Sequence, residues 1–211
     1  MDAFARPLTR MLLPGAVLIV LAALLGLWTL LHGDAPFAVD EAWNAALTGW
    51  RVPLLEGLSF ALSVLGGVWV SIVVFTIGGT VALLIARRPW AALFLVTAQA
   101  VSAGLVQVGK HLFGRARPDE ILVLSDYGSF PSGHAANAAT VAAVAVVLFP
   151  RVWVIVAGAV WVVLMAFSRT YLHAHWASDT LGGALLGTGA VLVVAALYAP
   201  RLRAERVPVT G

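Results

Sequence analysis

Residues 131–149 read PSGHAANAATVAAVAVVLF, a short polar entrance followed by an apolar run that contains no Lys, Arg, Asp or Glu. A helix needs roughly 20 mostly apolar residues to cross the hydrocarbon core of a bilayer, and slightly fewer where neighbouring helices bury its ends. The run 133–149 therefore predicts a membrane-spanning helix whose first residues include a Ser, a Gly and a His.

The rest of the chain repeats this pattern. Of the 211 residues, 61% are hydrophobic and 11% are charged, a composition far from that of a soluble domain. Six stretches without charged residues qualify as spans: 12–31, 58–86, 91–109, 133–149, 152–167 and 180–198. We therefore predict an all-α, polytopic membrane protein with six transmembrane helices in a single domain over residues 1–211. The absence of cysteine excludes disulfides and thiolate metal sites.

Two segments near the N-terminus need separate interpretation. The first apolar run, preceded by arginines, resembles a signal peptide, but its length and the lack of a clear cleavage site favour a retained first helix. Residues 38–56 carry apolar side chains at three- and four-residue steps with polar residues between them. This pattern is typical of an amphipathic segment lying in the membrane interface, and a connecting helix packed on the protein explains it equally well.

The basic residues predict the orientation. If six helices alternate, one side of the membrane receives Arg6, Arg10, Arg87, Arg88, Arg151, Arg201, Arg203 and Arg206. By the positive-inside rule this side is the cytoplasm of a bacterial-type cell, and both termini lie there. The opposite side receives Arg51, Lys110, Arg115, Arg117 and Arg169. Because the positive-inside rule does not account for these five residues, we expect most of them to have another role.

Two polar clusters flank the start of the fourth predicted span. Lys110 and Arg117 enclose six residues after the third span, and a Pro-Ser-Gly-His string opens the fourth. Ser132 is suited to cap a helix, whose first turn then offers N–H groups and the positive end of its dipole to an anion. Gly133 lets the anion approach the backbone closely, and His134 can reach it. A plain cap with an interfacial histidine explains this second string about equally well.

A third cluster occupies residues 168–179, between the fifth and sixth spans. His175 and Asp179 are four residues apart at the start of a helix, so their side chains share one face. A carboxylate that accepts a hydrogen bond from one ring nitrogen leaves the other nitrogen free to attack. Arg169 adds a cation nearby. Such a pair can also be merely structural.

Together the three clusters predict a phosphoryl-transfer centre at one membrane face. The cations can surround a phosphate and stabilise the charge on its oxygens. His175 can attack phosphorus to give a phosphohistidine, while His134 protonates the leaving oxygen and later activates water. No acidic cluster suited to Mg²⁺ accompanies these residues, so we expect no metal and no other cofactor.

The order and spacing of these residues resemble the three-part signature of the type-2 phosphatidic acid phosphatase superfamily. The signature lies within about residues 105–185, and the likeness covers about residues 38–190. The resemblance implies a helical bundle like that of the bacterial membrane members and a metal-independent phosphatase. It implies catalytic roles for His175 as nucleophile, Asp179 as its orienting partner and His134 as acid and base. It also implies a phosphate site formed by Lys110, Arg117, Ser132, Gly133 and Arg169.

We therefore expect a phosphatase acting on a membrane lipid phosphate or diphosphate at the extracytoplasmic face. Undecaprenyl diphosphate, phosphatidylglycerol phosphate and phosphatidic acid are the candidate substrates; the bilayer is a partner, and nucleic acid is not. A lipid phosphotransferase would use the same residues. A vanadate-dependent haloperoxidase-like enzyme would bind vanadate in the same pocket. An anion-binding transporter or scaffold would keep the basic cluster without the chemistry.

Other polar residues receive lesser roles. We expect interfacial positions for His32, His111 and His173, although His173 is close enough to the signature to touch substrate. Arg115 fits a solvated loop cation or a headgroup contact. The loop that follows fits either a gate or an ordinary polar connection, and its acidic residues are Asp119, Glu120 and Asp126.

Overall fold

The computed structural model describes residues 2–33 and 35–205, with the backbone alone for residues 2–9. Arg206 and the Arg6 side chain, which the orientation prediction uses, lie outside the described residues. Over the described ranges the chain is helical and has no β-strand, which confirms the all-α prediction. The helices are α1 (Asp2–Leu31), α2 (Ala38–Gly49), α3 (Pro53–Leu65), α4 (Val68–Val70), a π-helix π1 (Ser71–Gly78), α5 (Gly79–Ile85), α6 (Pro89–Phe113), α7 (Gly133–Leu148), α8 (Val152–Tyr171) and α9 (Ala177–Ala204).

The described helices support a multi-pass membrane protein, but the predicted count of six spans is not confirmed. Five segments are long and apolar enough to cross a bilayer: Arg10–Leu31, Val68–Ile85, Pro89–Phe113, Val152–Tyr171 and Ala177–Ala204. The fourth predicted span is α7, which has only 16 residues. At 1.5 Å per residue α7 is about 24 Å long, shorter than the roughly 30 Å hydrocarbon core.

The second predicted span is divided by a helix break. Helix α3 ends at Leu65, and Gly66 and Gly67 separate it from the segment that begins at Val68. A Cβ atom on Gly66 would lie 2.5 Å from the Met165 side chain and 3.1 Å from His134 Cδ2. The break therefore lets the backbone pass directly against α8 and the start of α7. The segment Val68–Ile85 that follows lies at the outside of the bundle, with 6% of its residues buried.

Helix α9 is the packing centre of the bundle, because 61% of its residues in the span are buried. Its glycines allow close backbone contact with α7: a Cβ atom on Gly183 would collide with the carbonyl of Ser132, and one on Gly187 with that of Ala136. Small residues on one helix face allow this type of approach within a membrane. The contact fixes the start of α7 beside the start of α9.

The amphipathic segment 38–56 is two helices rather than one. Helix α2 ends at Gly49 and α3 begins at Pro53, a residue favoured in the first turn of a helix and disruptive inside one. In α2 the polar residue Asp40 is buried against the protein, at 1% exposure. The apolar side chains of Val39 and Trp43 are exposed. The buried side of α2 therefore combines the carboxylate of Asp40 with the apolar side chain of Leu47.

Candidate active site

Lys110 and Arg117 are brought together by the loop that joins α6 to α7. Lys110 lies in the last turn of α6 and is only 3% exposed. Its Nζ donates to the Gly128 carbonyl at 2.7 Å, and Arg117 Nη2 donates to the same oxygen at 2.8 Å. The Asp126 carboxylate bridges the two cations, with Oδ1 at 3.1 Å from Lys110 Nζ and 2.9 Å from Arg117 Nη2. A carboxylate of the chain itself therefore lies on the predicted anion site.

Arg169 and His134 share one partner on α3. Arg169 Nη1 donates to the Ser63 hydroxyl at 2.6 Å, and His134 Nε2 lies 3.1 Å from the Ser63 carbonyl oxygen. Because a carbonyl only accepts hydrogen bonds, this contact places a proton on Nε2 and leaves Nδ1 available for proton transfer. Ser63 therefore positions one predicted phosphate ligand and the predicted acid and base together.

His175 lies in the turn between α8 and α9 and is 4% exposed. Its Nδ1 is 2.8 Å from the Ser129 carbonyl oxygen, so Nδ1 carries the proton and the neutral ring has its lone pair on Nε2. Arg117 Nη1 lies 3.3 Å from Nε2. Burial, followed by the charges of Arg117 and Arg169, holds the pKa of His175 well below its ordinary value. The imidazole is therefore neutral at neutral pH.

Asp179 does not make the predicted hydrogen bond to this ring. Its Oδ2 is 3.7 Å from His175 Nδ1, beyond hydrogen-bond distance, and the Ser129 carbonyl takes that place. Asp179 Oδ2 instead accepts from the Trp176 backbone N–H at 2.8 Å, and Oδ1 accepts from Arg115 at 2.7 Å. The carboxylate thus fixes the turn that carries His175 rather than the ring itself.

Arg115 is buried at 1% exposure, so neither the solvated position nor the headgroup contact expected from the sequence is correct. Its guanidinium joins Asp179 of α9 to Asp40 of α2, whose Oδ2 lies 2.8 Å from Arg115 Nη2. Ser178 completes the group, donating its N–H to Asp40 Oδ1 at 2.9 Å and its hydroxyl to Oδ2 at 2.6 Å. A buried charge needs such pairing because it has lost its hydration.

The start of α7 has the predicted form. Ser132 is the N-cap, and its hydroxyl accepts from the Ala135 N–H at 3.5 Å. Ser132 is fully buried and its N–H donates to the Asp179 carbonyl at 3.0 Å, which ties the two helix starts together. A Cβ atom on Gly133 would meet only Val106 Cγ1, at an ordinary 3.7 Å. Packing within the protein therefore does not require glycine at this position.

A cavity of about 430 Å³ collects most of the predicted residues. Six of the eight line it: Lys110, Arg117, Gly133, His134, Arg169 and His175. Asp179 and Ser132 lie behind it, each at 0% exposure. The Nε atoms of Arg117 and Arg169 are buried and have no hydrogen-bond partner among the described residues. Unpaired cationic donors beside a neutral histidine form a site that is suited to an anion.

Comparison with known proteins decides the family. The model of the PAP2 superfamily matches residues 90–203, which carry all three clusters. The chain belongs to the PAP2 superfamily. Phosphatidylglycerophosphatase B of Bacillus subtilis is 31% identical over 168 residues, which cover 74% of this chain and 82% of the relative. The undecaprenyl-diphosphatase of Sulfolobus acidocaldarius is 31% identical over 147 residues, covering 65% and 68%.

A solved PAP2 structure supports the same assignment. The crystal structure of a transmembrane PAP2-type phosphatidylglycerolphosphate phosphatase from Bacillus subtilis matches with a TM-score of 0.75 and 26% identity. The match covers 93% of this chain and 98% of that one. The predicted fold class, a helical membrane bundle of the PAP2 type, is therefore confirmed.

The sequence analysis did not predict the contacts of several residues around the PAP2 signature. Ser63 was missed; its polar side chain in an apolar stretch was the available signal. Asp126 was assigned only to a loop that fits a gate or an ordinary polar connection, and its pairing with both Lys110 and Arg117 was not predicted. His173 is fully buried rather than interfacial, and its Nδ1 lies 2.6 Å from Asn44 Oδ1. His111 is exposed, as expected.

Proposed function

We propose that this protein is a metal-independent lipid phosphatase that works through a phosphohistidine at the extracytoplasmic face. The observation that carries the proposal is the placement of neutral His175 in one cavity with three cations. Its Nε2 is the unprotonated ring nitrogen, and its lone pair accepts a hydrogen bond from Arg117 Nη1 at 3.3 Å. The names of the relatives, which include phosphatases of glycerolipid and polyprenyl phosphates, support a lipid phosphate or diphosphate as substrate.

In the first step the phosphate binds between Lys110, Arg117 and Arg169. The lone pair on His175 Nε2 attacks phosphorus, so a P–N bond forms and the bond to the lipid oxygen breaks. The negative charge of the bound phosphate favours a proton on His134, which gives its Nδ1 proton to that oxygen, and the oxygen leaves as the alcohol or, from a diphosphate, as the lipid monophosphate. The cations stabilise the charge on the remaining phosphate oxygens.

In the second step water releases the phosphate. Neutral His134 takes a proton from a water molecule, whose oxygen attacks phosphorus while the P–N bond breaks. The electron pair returns to His175 Nε2, and inorganic phosphate leaves. His134 is then protonated and ready for the next substrate. The contact with the Ser63 carbonyl keeps the ring in one orientation through both steps.

The three cations take the role that a metal fills in other phosphoryl-transfer sites. Within the described ranges, no group of three or more His, Asp or Glu side chains is placed to hold a metal ion. We expect full activity in excess EDTA. Activity that disappears in EDTA and returns with Mg²⁺ would contradict the metal-independent proposal.

The positive-inside pattern supports the proposed orientation, with both termini in the cytoplasm and the cavity at the other face. We expect a reporter enzyme that works only in the cytoplasm to be active when it is fused after Arg206, and a reporter that works only in the periplasm to be inactive there. A periplasmic reporter that is active at this position would place the cavity at the cytoplasmic face instead.

Phosphate release from a panel of lipid monophosphates and diphosphates tests the activity. His175→Ala should lose at least about 10³-fold in kcat, because the nucleophile is removed. His111→Ala is the matched control, since this histidine is exposed and should retain full activity. With a diphosphate labelled at its terminal phosphate, His134→Ala should accumulate acid-labile label on the protein. Phosphate release that survives the His175→Ala change would refute the mechanism.

A further inference from the structure

The cavity continues past the phosphate cluster into the bundle. Beyond His134, towards the middle of the bundle, the cavity wall is formed by α6, α7 and the start of the segment Val68–Ile85. The side chains there include Ser71, Gln99, Ser102 and Asn137. No signature residue lies in this lower part.

Asn137 is held in one orientation with a free donor. Ser71 Oγ donates to its amide oxygen at 2.7 Å, which directs the amide nitrogen away from π1. The Nδ2 atom is buried and has no hydrogen-bond partner among the described residues, and the same is true of Gln99 Nε2 further down. Buried donors in folded proteins are nearly always paired, so an unpaired one in a cavity wall indicates an acceptor on the ligand.

The position of Asn137 relative to His134 and His175 indicates which part of the ligand it contacts. Asn137 follows His134 by three residues, so the two side chains share one face of α7 about one turn apart. In-line attack by His175 directs the leaving oxygen towards His134. The atoms attached to that oxygen therefore pass Asn137 as the substrate extends into the membrane.

The charge of the wall decides which acceptor fits. All three cations of the cavity surround the first phosphate, and the remaining lining residues below His134 carry no Lys or Arg within the described part of the chain. A second phosphate at Asn137 would be a buried anion without a counter-ion, which is unfavourable. A neutral oxygen such as an ester carbonyl needs only the amide donor.

We propose that Asn137, oriented by Ser71, donates a hydrogen bond to an ester carbonyl next to the scissile phosphate and so selects acylated glycerol monophosphates over polyprenyl phosphates. The inference rests on the proposed lipid phosphatase function. A polyprenyl chain offers only carbon atoms beyond the phosphoester oxygen and leaves the amide unpaired. An acylated sugar phosphate shares the carbonyl chemistry and is distinguished in the assay.

The test compares kcat/KM for four substrates: a diacylglycerol phosphate, its dialkyl ether analogue, an acylated glucosamine 1-phosphate and a polyprenyl phosphate. We expect Asn137→Leu to lower the value for the diacyl substrate about 5- to 10-fold and to leave the ether and polyprenyl values unchanged. Ser71→Ala should shift the ratio in the same direction. Thr80→Val is the matched control, because Thr80 Oγ1 is also buried without a partner among the described residues but lies outside this cavity.

Ratios between substrates within one variant separate recognition from misfolding, since loss of folded protein lowers every rate equally. Equal losses on the ester and ether substrates would overturn the assignment of the carbonyl. A selective loss on the acylated sugar alone would overturn the glycerolipid assignment. If all lipids depend on His175 while Asn137→Leu changes no ratio, this inference fails and the proposed phosphatase function stands. Phosphate release that is independent of His175 refutes the proposed function itself.

Discussion

Asp126→Asn should strengthen substrate binding, because the Asp126 carboxylate competes with the substrate phosphate for the same cations. Its Oδ1 is 3.1 Å from Lys110 Nζ and 2.9 Å from Arg117 Nη2. Burial alone would raise the pKa of Asp126, but the charges of Lys110 and Arg117 outweigh it and lower the pKa below its ordinary value. The carboxylate therefore stays ionised throughout the neutral range and must leave before a phosphate can bind both cations.

The size of the effect follows from the exposure of the ion pairs. The Asp126 side chain is 60% exposed, and exposed pairs contribute about 0.2–1 kcal/mol each. Lys110 is 3% exposed and Arg117 is 13% exposed, which favours the upper end of that range. Two such contacts stabilise the occupied state by about 1–2 kcal/mol. Because ligand affinity is reduced by the fraction of competent protein, removing the charge should tighten binding about 5- to 30-fold.

The assay measures KM with a short-chain lipid phosphate and the inhibition constant of inorganic phosphate. Both should fall by the same factor in Asp126→Asn, since both ligands displace the same carboxylate. Asp119→Asn is the matched control: it removes a charge from the same loop at a residue outside the catalytic cavity, and should change neither constant. If Asp126→Asn raises KM and the phosphate inhibition constant, the carboxylate orients the cations for substrate and the competition argument is wrong.

Three further predictions address the nucleophile, the anion cradle and the buried charges. Burial and nearby cations lower the pKa of His175, and the neutral ring is the reactive form. The value of kcat/KM should therefore stay constant as the pH falls through 6.5 and decline only at lower pH. Arg169→Gln removes one of these cations and should move the decline to higher pH. Gly133→Ala should weaken inhibition by phosphate but leave the melting temperature unchanged, because its Cβ atom meets no close protein contact. Gly187→Ala should lower the melting temperature, because its Cβ atom collides with a backbone carbonyl of α7. Arg115→Ala should lower the free energy of unfolding by about 3–5 kcal/mol, because it leaves two buried carboxylates without their cation. Arg51→Ala breaks an exposed ion pair and should lower it by less than about 1 kcal/mol. Thermal unfolding in detergent measures both changes.

The catalytic cluster could be predicted because its information is local. The N-cap pattern at Ser132 places His134 in the first turn of α7, and charged residues at the ends of apolar runs mark a membrane face. The position of the six cavity-lining residues at one end of the helices follows from these two facts, whereas their roles come from the family resemblance. The ring partner of His175 does not follow from these facts, because the Ser129 carbonyl is a backbone atom that any residue could supply.

The interactions between distant segments could not be predicted in the same way. Asp40 and Arg115 are 75 residues apart, and Ser63 and Arg169 are 106 apart. No periodicity relates such positions, since each pair depends on how the helices pack. The break at Gly66 was missed for a different reason: hydropathy stays high on both sides of it, so composition alone describes one continuous span. The packing of Gly66 against Met165 and His134, which leaves no room for a side chain at this position, becomes visible only in the structure.

The signature residues form two layers with different consequences for the reaction. The outer layer lines the cavity in which we propose that the phosphate binds, while Asp179 and Ser132 lie behind it and connect the starts of α7 and α9. Through Arg115 and Asp40 the inner layer also reaches α2, whose Val39 and Trp43 side chains are exposed. A helix with that exposed face is suited to the membrane interface, where headgroups surround its tryptophan. The carboxylate that fixes the turn of His175 is therefore joined, by two buried ion pairs, to the helix that we expect at the membrane interface.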